Sequence, residues 1–191
     1  MTILGVDPGT RILGYSILQT DPALRVVKMD VLYLRKIDDY NERIRTIFNS
    51  MCAIIDEYRP EVLAIEAPFF GKNVQSMLKL GRAQGVTIAA AISRRLDFVE
   101  YEPATIKQYV AGNGSATKEQ VLAMLEARLA MDLYANYLDA SDALAAAYCH
   151  HLVVSNPLAE LREQLRPIRQ RKMKRQSWSD YLNENPELLG E

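Results

Sequence analysis

The sequence predicts an α/β fold in which a mixed β-sheet carries α-helices on its faces. Three observations support this prediction. Three strand-like segments follow one another at the start, strand-like and helical segments alternate after them, and apolar residues recur at helical spacing over residues 40–58. A chain of 191 residues is long enough for one globular domain with an appendage.

The first three predicted strands form a meander over Thr2–Val6, Ile12–Leu18 and Arg25–Leu34. The sequence Asp7-Pro8-Gly9-Thr10 lies between the first two strands and consists of typical turn residues. We therefore expect the first two strands to form a hairpin.

A helix is predicted next, over Tyr40–Tyr58, because its apolar residues repeat every three or four positions and Pro60 follows it. The segment Glu61–Glu66 has the continuous apolar character of a buried strand, and it ends at a carboxylate before Pro68. A long helix is predicted after it, over Lys72–Arg95.

The remaining elements alternate in the same way. A short strand is predicted over Asp97–Tyr101, a helix begins at Pro103, and a further helix follows the loop 111–115, where Thr117 and Gln120 fit a capping box. A last core helix over Asp139–Val154 completes a domain of residues 1–156.

Residues 157–191 differ in composition from this domain. A basic run is followed by an acidic end that contains Asn and Pro, which predicts a helical or disordered tail. The basic residues are Arg162, Arg166, Arg169, Arg171, Lys172, Lys174 and Arg175.

Composition excludes several classes of protein. The net charge is only -1, so the chain as a whole gives no sign of nucleic-acid binding. The two cysteines form no Cys-x-x-Cys pair, no leader sequence precedes the first strand, and the longest apolar runs fall short of the roughly 20 residues that span a bilayer. We expect a cytoplasmic protein with no disulfide scaffold and no membrane role.

Four carboxylates lie at the ends of separate predicted elements: Asp7, Glu66, Asp139 and Asp142. Asp139 and Asp142 share a helix face, and Asp7 and Glu66 lie side by side if their strands are neighbours. Such a cluster repels itself unless cations neutralise it, and its oxygen ligands suit Mg²⁺ or Mn²⁺.

Each of these acids also has a structural interpretation. Asp7 is an ordinary first residue of a β-turn, Asp139 fits a helix N-cap, and Asp142 suits the positive end of the helix dipole. Glu66 has no turn or cap to serve, so it is the acid that most strongly indicates a site.

Basic residues are concentrated in two acid-free stretches. Residues 67–96 contain Lys72, Lys79, Arg82, Arg94 and Arg95, and residues 103–118 contain Lys107 and Lys118. A cationic surface beside carboxylates suits an enzyme that acts on a phosphodiester, because lysines hold phosphates while the acids hold metals. The alternative is that each lysine lies on a solvated helix face.

Cys149, His150 and His151 raise the possibility of a second metal site. No second cluster completes a zinc site, so we expect these residues to pack within the last helix.

Five motifs, in order, resemble the RuvC family of bacterial Holliday junction resolvases, and the resemblance covers roughly residues 1–156. They are Ile3-Leu-Gly-Val-Asp7-Pro-Gly-Thr-Arg11 with Gly14-Tyr15, Ala64-Ile-Glu66 with Phe69-Phe-Gly-Lys-Asn73 and Leu78-Lys-Leu-Gly-Arg82, Tyr101 through Lys107-Gln108, Gly112 through Lys118, and Asp139-Ala-Ser-Asp142-Ala-Leu.

The resemblance implies a ribonuclease H-like fold and gives roles to individual residues. Asp7, Glu66, Asp139 and Asp142 match the family's metal-binding catalytic acids, and Lys107 and Lys118 match its basic residues near the scissile phosphate. Phe69 falls on the aromatic that stacks on bases at the junction centre, unless it is one more core phenylalanine. Lys72, Lys79 and Arg82 are the other candidate DNA contacts.

The resemblance also implies how such a protein works. RuvC-like enzymes act as homodimers that nick two opposed strands of a four-way junction and leave 5′-phosphate ends. Two Mg²⁺ ions per subunit, about 3.5 to 4 Å apart, are expected to assist hydrolysis, and Mn²⁺ is expected to substitute. A RuvA and RuvB branch-migration complex is the implied partner.

Two local features bear on these expectations. Gly81, Gly85 and Ala89 form a smooth stripe that permits close helix contact, either within a subunit or across a dimer. Ala67-Pro68 stands where the family pattern has a more polar or branched pair, so we expect a stiffer loop before Phe69.

Two other functions compete with this hypothesis. A sugar kinase or ATPase of the actin-like group shares the Asp-x-Gly-Thr turn, but it needs a second, similar lobe, for which 191 residues leave no room. A module that holds branched DNA without cutting it needs no acids, whereas all four are present here.

Overall fold

The structure is a computed structural model that describes residues 1–68, 73–131, 133 and 138–156, the side chain of residue 138 excepted. Its strands are β1 (Thr2–Asp7), β2 (Ile12–Gln19), β3 (Arg25–Tyr33), β4 (Val62–Glu66) and β5 (Asp97–Tyr101). Its helices are α1 (Tyr40–Tyr58), α2 (Val74–Ser93), α3 (Pro103–Ala111), α4 (Lys118–Leu129) and α5 (Leu138–Val154).

The five strands form one mixed sheet in the order β3-β2-β1-β4-β5. β2 pairs antiparallel with both β1 and β3, as the predicted meander requires, and β1, β4 and β5 are parallel to one another. The prediction of a mixed sheet flanked by helices is confirmed. Because β1 and β4 are parallel neighbours, their carboxyl ends meet at one edge of the sheet.

Helices cover both faces of the sheet, because alternate residues of the central strands point to opposite sides. Leu4 and Leu63 belong to a core formed with α1 and α2. Ile3 and Ala64 belong to a second core formed with α3, α4 and α5. A central strand is therefore buried on both faces, which explains the continuous apolar character of β4.

Side chains fix the starts of most helices. Asp39 accepts a hydrogen bond from the backbone of Glu42 at the start of α1, and the capping box of Thr117 and Gln120 is present at α4. Asn73 caps α2, so this helix spans Val74–Ser93 rather than the longer predicted range Lys72–Arg95. Residue 72 itself lies outside the described residues.

The chain divides into two compact units, Met1–Val153 and Val154–Glu191. Apart from residues 154–156, everything described here belongs to the first unit. The predicted tail, residues 157–191, lies outside the described residues. Of the helices that the structure describes, none combines the length and the apolar character that crossing a membrane requires.

Cys149 and His150 near the end of α5 are both buried. This confirms for these two residues the prediction that they pack within the protein. The Nδ1 atom of His150 lies 2.8 Å from the hydroxyl of Tyr101, at hydrogen-bond distance. His151 packs against the ring of Tyr148, with centroids 5.9 Å apart.

Candidate active site

Asp7 and Glu66 lie side by side at the carboxyl edge of the sheet. Val6 of β1 pairs with Ile65 of β4 in the parallel register, and each acid is the next residue of its strand. The expectation that their two strands are neighbours is therefore correct.

Close packing of α5 on the sheet brings its two acids to the same edge. Asp7 pairs with Gly14 across β1 and β2. A Cβ atom on Gly14 would lie 1.9 Å from the carbonyl oxygen of Asp139, and one on Gly5 would lie 2.1 Å from that of Ala143. The backbone of α5 therefore rests directly on two glycines, and any side chain there would move Asp139 and Asp142 away from Asp7.

Asp139 lies inside α5 and is not its N-cap. The helix begins at Leu138, so Asp139 belongs to the first helical turn, and the N-cap interpretation of this residue is wrong. Asp142 follows one turn later and is mostly buried, with 19% of its side chain exposed. Both acids are thus presented from a rigid element.

Asp7 and Glu66 are the acids whose pKa values the burial and the charges of this site change most. Burial raises the pKa of Asp7 to about 8, with further increases from Glu66, Asp142 and Asp139 and an opposing effect from Lys118. Burial also raises the pKa of Glu66 to about 7, again with a contribution from Asp142. Both shifts disfavour the charged forms of these carboxylates, and a bound cation would oppose the shifts.

Lys118 and Lys107 supply positive charge beside the acids. The ammonium group of Lys118, the first residue of α4, donates a hydrogen bond to Asp142. Burial alone would lower the pKa of Lys118, but this hydrogen bond and the nearby carboxylates raise it. Lys107 belongs to α3, and its charge partly opposes the increase that burial causes in the pKa of Glu66. Lys107 and Lys118 thus flank the carboxylates, as the expected phosphate-binding residues should.

Two grooves meet at these residues, because Glu66, Lys107 and Lys118 line both of them. The first is completed by Asp142 and by apolar residues of α3, α4 and α5. The second opens past the segment after β4 and the start of α3. Of the four acids, Glu66 and Asp142 are therefore the two that line a groove.

The donor set suits a hard divalent cation. Its ligands would all be carboxylate oxygens that repel one another, and burial raises the pKa of two of these carboxyl groups. Within the described part of the chain, no three His, Cys, Asp or Glu side chains are already gathered closely enough to hold a metal ion. Lys118 occupies Asp142 instead, so a bound cation would have to displace this contact.

The loop that joins α3 to α4 is braced by a residue that sequence reasoning missed. The side-chain amide of Gln108 donates to the carbonyl of Gly112 at 2.9 Å, and its oxygen accepts from the backbone N–H of Gly114 at 3.2 Å. Gln108 thereby fixes the path between Lys107 and Lys118. No sequence pattern identifies such a brace, because both of its partners are backbone groups.

Of the other predicted basic residues, those that the structure describes do not line either groove. Arg82 lies over the ring of Tyr40, 5.8 Å from its centroid, and the backbone carbonyl of Lys79 accepts from the Tyr40 hydroxyl. Arg94 forms two hydrogen bonds with Asp56, at 2.9 and 3.0 Å. Phe69 and Lys72 lie outside the described residues.

The smooth stripe on α2 is open to its surroundings. A Cβ atom on Gly81 or Gly85 would have no other described atom within 4 Å. Three apolar residues of the same helix are also exposed: Val74 at 64%, Leu78 at 53% and Ile92 at 60%. The contact that this stripe permits is therefore not made within the described part of the subunit.

Comparison with known proteins identifies relatives over nearly the whole chain. The family model described as crossover junction endodeoxyribonuclease RuvC matches residues 3–150. A protein of this name from Porphyromonas gingivalis is 45% identical over 190 residues, which cover 98% of this chain and 96% of the relative. A protein of the same name from Bacteroides fragilis is 46% identical over 192 residues, which cover 98% of this chain and 95% of the relative.

Solved structures agree with these matches. RuvC of Thermus thermophilus, in complex with a Holliday junction substrate, superimposes with a TM-score of 0.74 at 29% identity, covering 81% of this chain and 94% of that chain. The yeast mitochondrial resolvase Ydc2 superimposes with a TM-score of 0.59 at 11% identity, covering 85% and 83% of the two chains, and so supports the fold alone.

Proposed function

Because the chain belongs to the RuvC family of crossover junction endodeoxyribonucleases, we propose that it resolves four-way DNA junctions by paired, symmetric cuts during recombination and repair. The observation that carries this proposal is the convergence of Asp7, Glu66, Asp139 and Asp142 at one sheet edge, with Lys107 and Lys118 beside them. This combination of acids and bases suits hydrolysis of a phosphodiester.

Asp7, Glu66, Asp139 and Asp142 would hold two Mg²⁺ ions per subunit, or Mn²⁺ in their place. These ions would supply an activated water and neutralise the charge that develops on the phosphate and on the departing 3′ oxygen. The protein's own contribution is to present the acids from two strands and a helix. Cleavage on this side of the phosphate leaves a 5′-phosphate end.

Lys118 and Lys107 would bind the oxygens of the phosphate that is cut. In the metal-free protein the charge of Lys118 is directed at Asp142. With a cation held by the acids, Asp142 would not need this ammonium group, which would then be available to a phosphate oxygen. Lys118 thus has two anionic partners, one for each state of the site.

Further DNA contacts are proposed for Phe69, Lys72, Lys79 and Arg82. Phe69 would stack on a base of the opened junction, and the three basic residues would contact phosphates of the arms. A RuvA and RuvB branch-migration complex would deliver the junction.

We further propose that two subunits meet through α2. Five exposed residues of α2 follow one another at steps of four, three, four and seven positions: Val74, Leu78, Gly81, Gly85 and Ile92. This spacing is that of a helix seam, and the two glycines allow the backbones of two helices to approach closely. A dimer built on this seam would place two sites on opposed strands.

Leu78→Glu is expected to break this dimer, because it would bury two like charges in an apolar seam. The dimer dissociation constant should rise at least tenfold in analytical ultracentrifugation, and junctions should be cut by single rather than paired nicks. Tyr33→Glu, which changes an equally exposed side chain on β3, is the control. A Leu78→Glu protein that stays dimeric contradicts the assignment of α2.

The proposed activity is tested with a labelled synthetic four-way junction and a linear duplex of matched sequence. In Mg²⁺ we expect paired, symmetric nicks on the junction, little cutting of the duplex, and none of either in the presence of a chelator. Junction binding without cutting in Mg²⁺ or Mn²⁺ would indicate a binding module instead. Turnover of ATP without DNA would favour the actin-like alternative.

A further inference from the structure

The second of the two grooves extends beyond the acids to a region that the proposed chemistry does not use. Its volume is about 810 Å³, within the range of roughly 300 to 1,000 Å³ that is typical of small-molecule pockets. Ala67 and Pro68 contribute to its lining after β4, and Pro103 and Ala104 contribute at the start of α3. These residues offer apolar surface and no side-chain hydrogen-bond donor.

The two parts of this lining are joined by the backbone. The N–H of Ala67 donates to the carbonyl of Tyr101 at 2.8 Å, which ties the segment after β4 to the end of β5. The width between Pro68 and Pro103 is therefore set by strand pairing and not by mobile side chains. Fixed apolar walls suit a flat ring, and enzymes that bind a nucleobase commonly hold it between such walls.

Glu102 lines the same groove, and among the residues that the structure describes no side-chain hydrogen bond or ion pair uses its carboxylate. It occupies the N-cap position of α3, yet its side chain makes no capping hydrogen bond. The other helices whose N-cap residues the structure describes are capped by the side chains of Asp39, Asn73 and Thr117. The acid at α3 is exposed and so remains available to a ligand.

The charges along the groove differ from one part to the other. Lys107 and Lys118 attract a phosphate toward Glu66, whereas the carboxylate of Glu102 repels one. The part beside Glu102 therefore favours a base over the backbone. A carboxylate only accepts hydrogen bonds, so the base that it selects must offer an N–H. An exocyclic amino group keeps a second N–H when its base is paired, whereas the single ring N–H of thymine is used by base pairing.

From these observations we propose that Glu102 determines sequence specificity, by accepting a hydrogen bond from the exocyclic amino group of a base next to the scissile phosphate. This inference rests on the proposed junction-cutting function and adds a preference for particular bases at the cut. It assigns Glu102 to recognition and leaves bond cleavage to the acids at the sheet edge.

The test uses four-way junctions in which the bases on either side of the mapped cut are varied one at a time. At the preferred base, an analogue without the amino group is then introduced: inosine for guanine, purine for adenine, or 2-pyrimidinone for cytosine. The wild-type protein should cut the amino-bearing junction about tenfold faster at one of these positions. Glu102→Ala should cut both junctions at nearly the same rate.

Two further variants separate recognition from a general effect of charge. Glu102→Gln keeps an acceptor oxygen but loses the charge, so it should retain a smaller preference. Asp97→Asn removes one exposed negative charge from the opposite end of β5 and should retain the full preference. All variants should melt within a few degrees of the wild type, because the Glu102 side chain makes no capping bond that folding could lose.

The outcomes are distinct. A preference for the amino group that disappears in Glu102→Ala and persists in Asp97→Asn supports the inference. Normal cutting by Glu102→Ala with an unchanged preference overturns it, as does a wild-type protein that ignores the amino group at every flanking position. If the wild-type protein cuts no junction at all, the proposed function fails and this inference fails with it.

Discussion

Replacing Glu66 by glutamine is expected to slow junction cleavage by about 10²- to 10³-fold while leaving junction affinity within about twofold. Gln keeps the size of the side chain and one oxygen, but it carries no charge with which to hold a divalent cation. Under the proposed function, junction binding would depend instead on the basic and aromatic surface and on the arrangement of two subunits. Cleavage therefore falls, and binding does not.

The measurement is a single-turnover cleavage rate on a four-way junction in Mg²⁺, paired with the dissociation constant of the same junction measured in chelator. Glu57→Gln is the matched control, since it makes the same chemical change at an exposed acid on α1. A Glu66→Gln protein that cuts at the wild-type rate would remove Glu66 from the site. Loss of both binding and cutting would indicate a folding defect, which the melting temperature would reveal.

The elements with strong local signals could be predicted from the sequence. The turn Asp7-Pro8-Gly9-Thr10 predicts the β1–β2 hairpin, and α1 is found at its predicted bounds, Tyr40–Tyr58. In each case the information lies within one short segment, either as turn chemistry or as apolar periodicity. Glu66 was likewise identifiable, because an acid at the end of a buried strand has no local structural role.

The features that bring the site together could not be predicted in the same way. Gly14 matters because the carbonyl of Asp139 rests on it, and these two residues are far apart in the sequence. An isolated glycine within a strand does indicate a close approach of another backbone, but it does not say which backbone approaches. The groove beside Glu102 is equally invisible, since its lining comes from segments that are far apart in the sequence.

Asp7→Asn is expected to stabilise the metal-free protein, even though it should abolish cleavage. The pKa of Asp7 rises from 3.8 to about 8 in the folded, metal-free state, chiefly through burial. Between these two pH values the unfolded chain releases a proton that the folded chain retains, so stability falls as the pH rises from about 4 to about 8. Asn is neutral at every pH, so the variant does not lose stability in this way as the pH rises.

The expected gain is a few kcal/mol at pH 8, which corresponds to a melting temperature about 5 to 10 °C above that of the wild type for a chain of this size. At pH 4 the two proteins should melt at nearly the same temperature. The measurement is thermal denaturation in chelator across this pH range. An Asp7→Asn protein that melts below the wild type at pH 8 would contradict the destabilising role of the buried carboxylate.

In Mg²⁺ we expect the opposite order, with the wild-type protein melting at a higher temperature than Asp7→Asn. A cation that binds only the folded wild-type site stabilises it by mass action, and it offsets the repulsion between Asp7, Glu66 and Asp142 that destabilises the metal-free form. Asp7→Asn would lack one of the proposed ligands and should gain little from added Mg²⁺. The acids would then be retained because the cation they bind is needed for cleavage, although they weaken the metal-free fold.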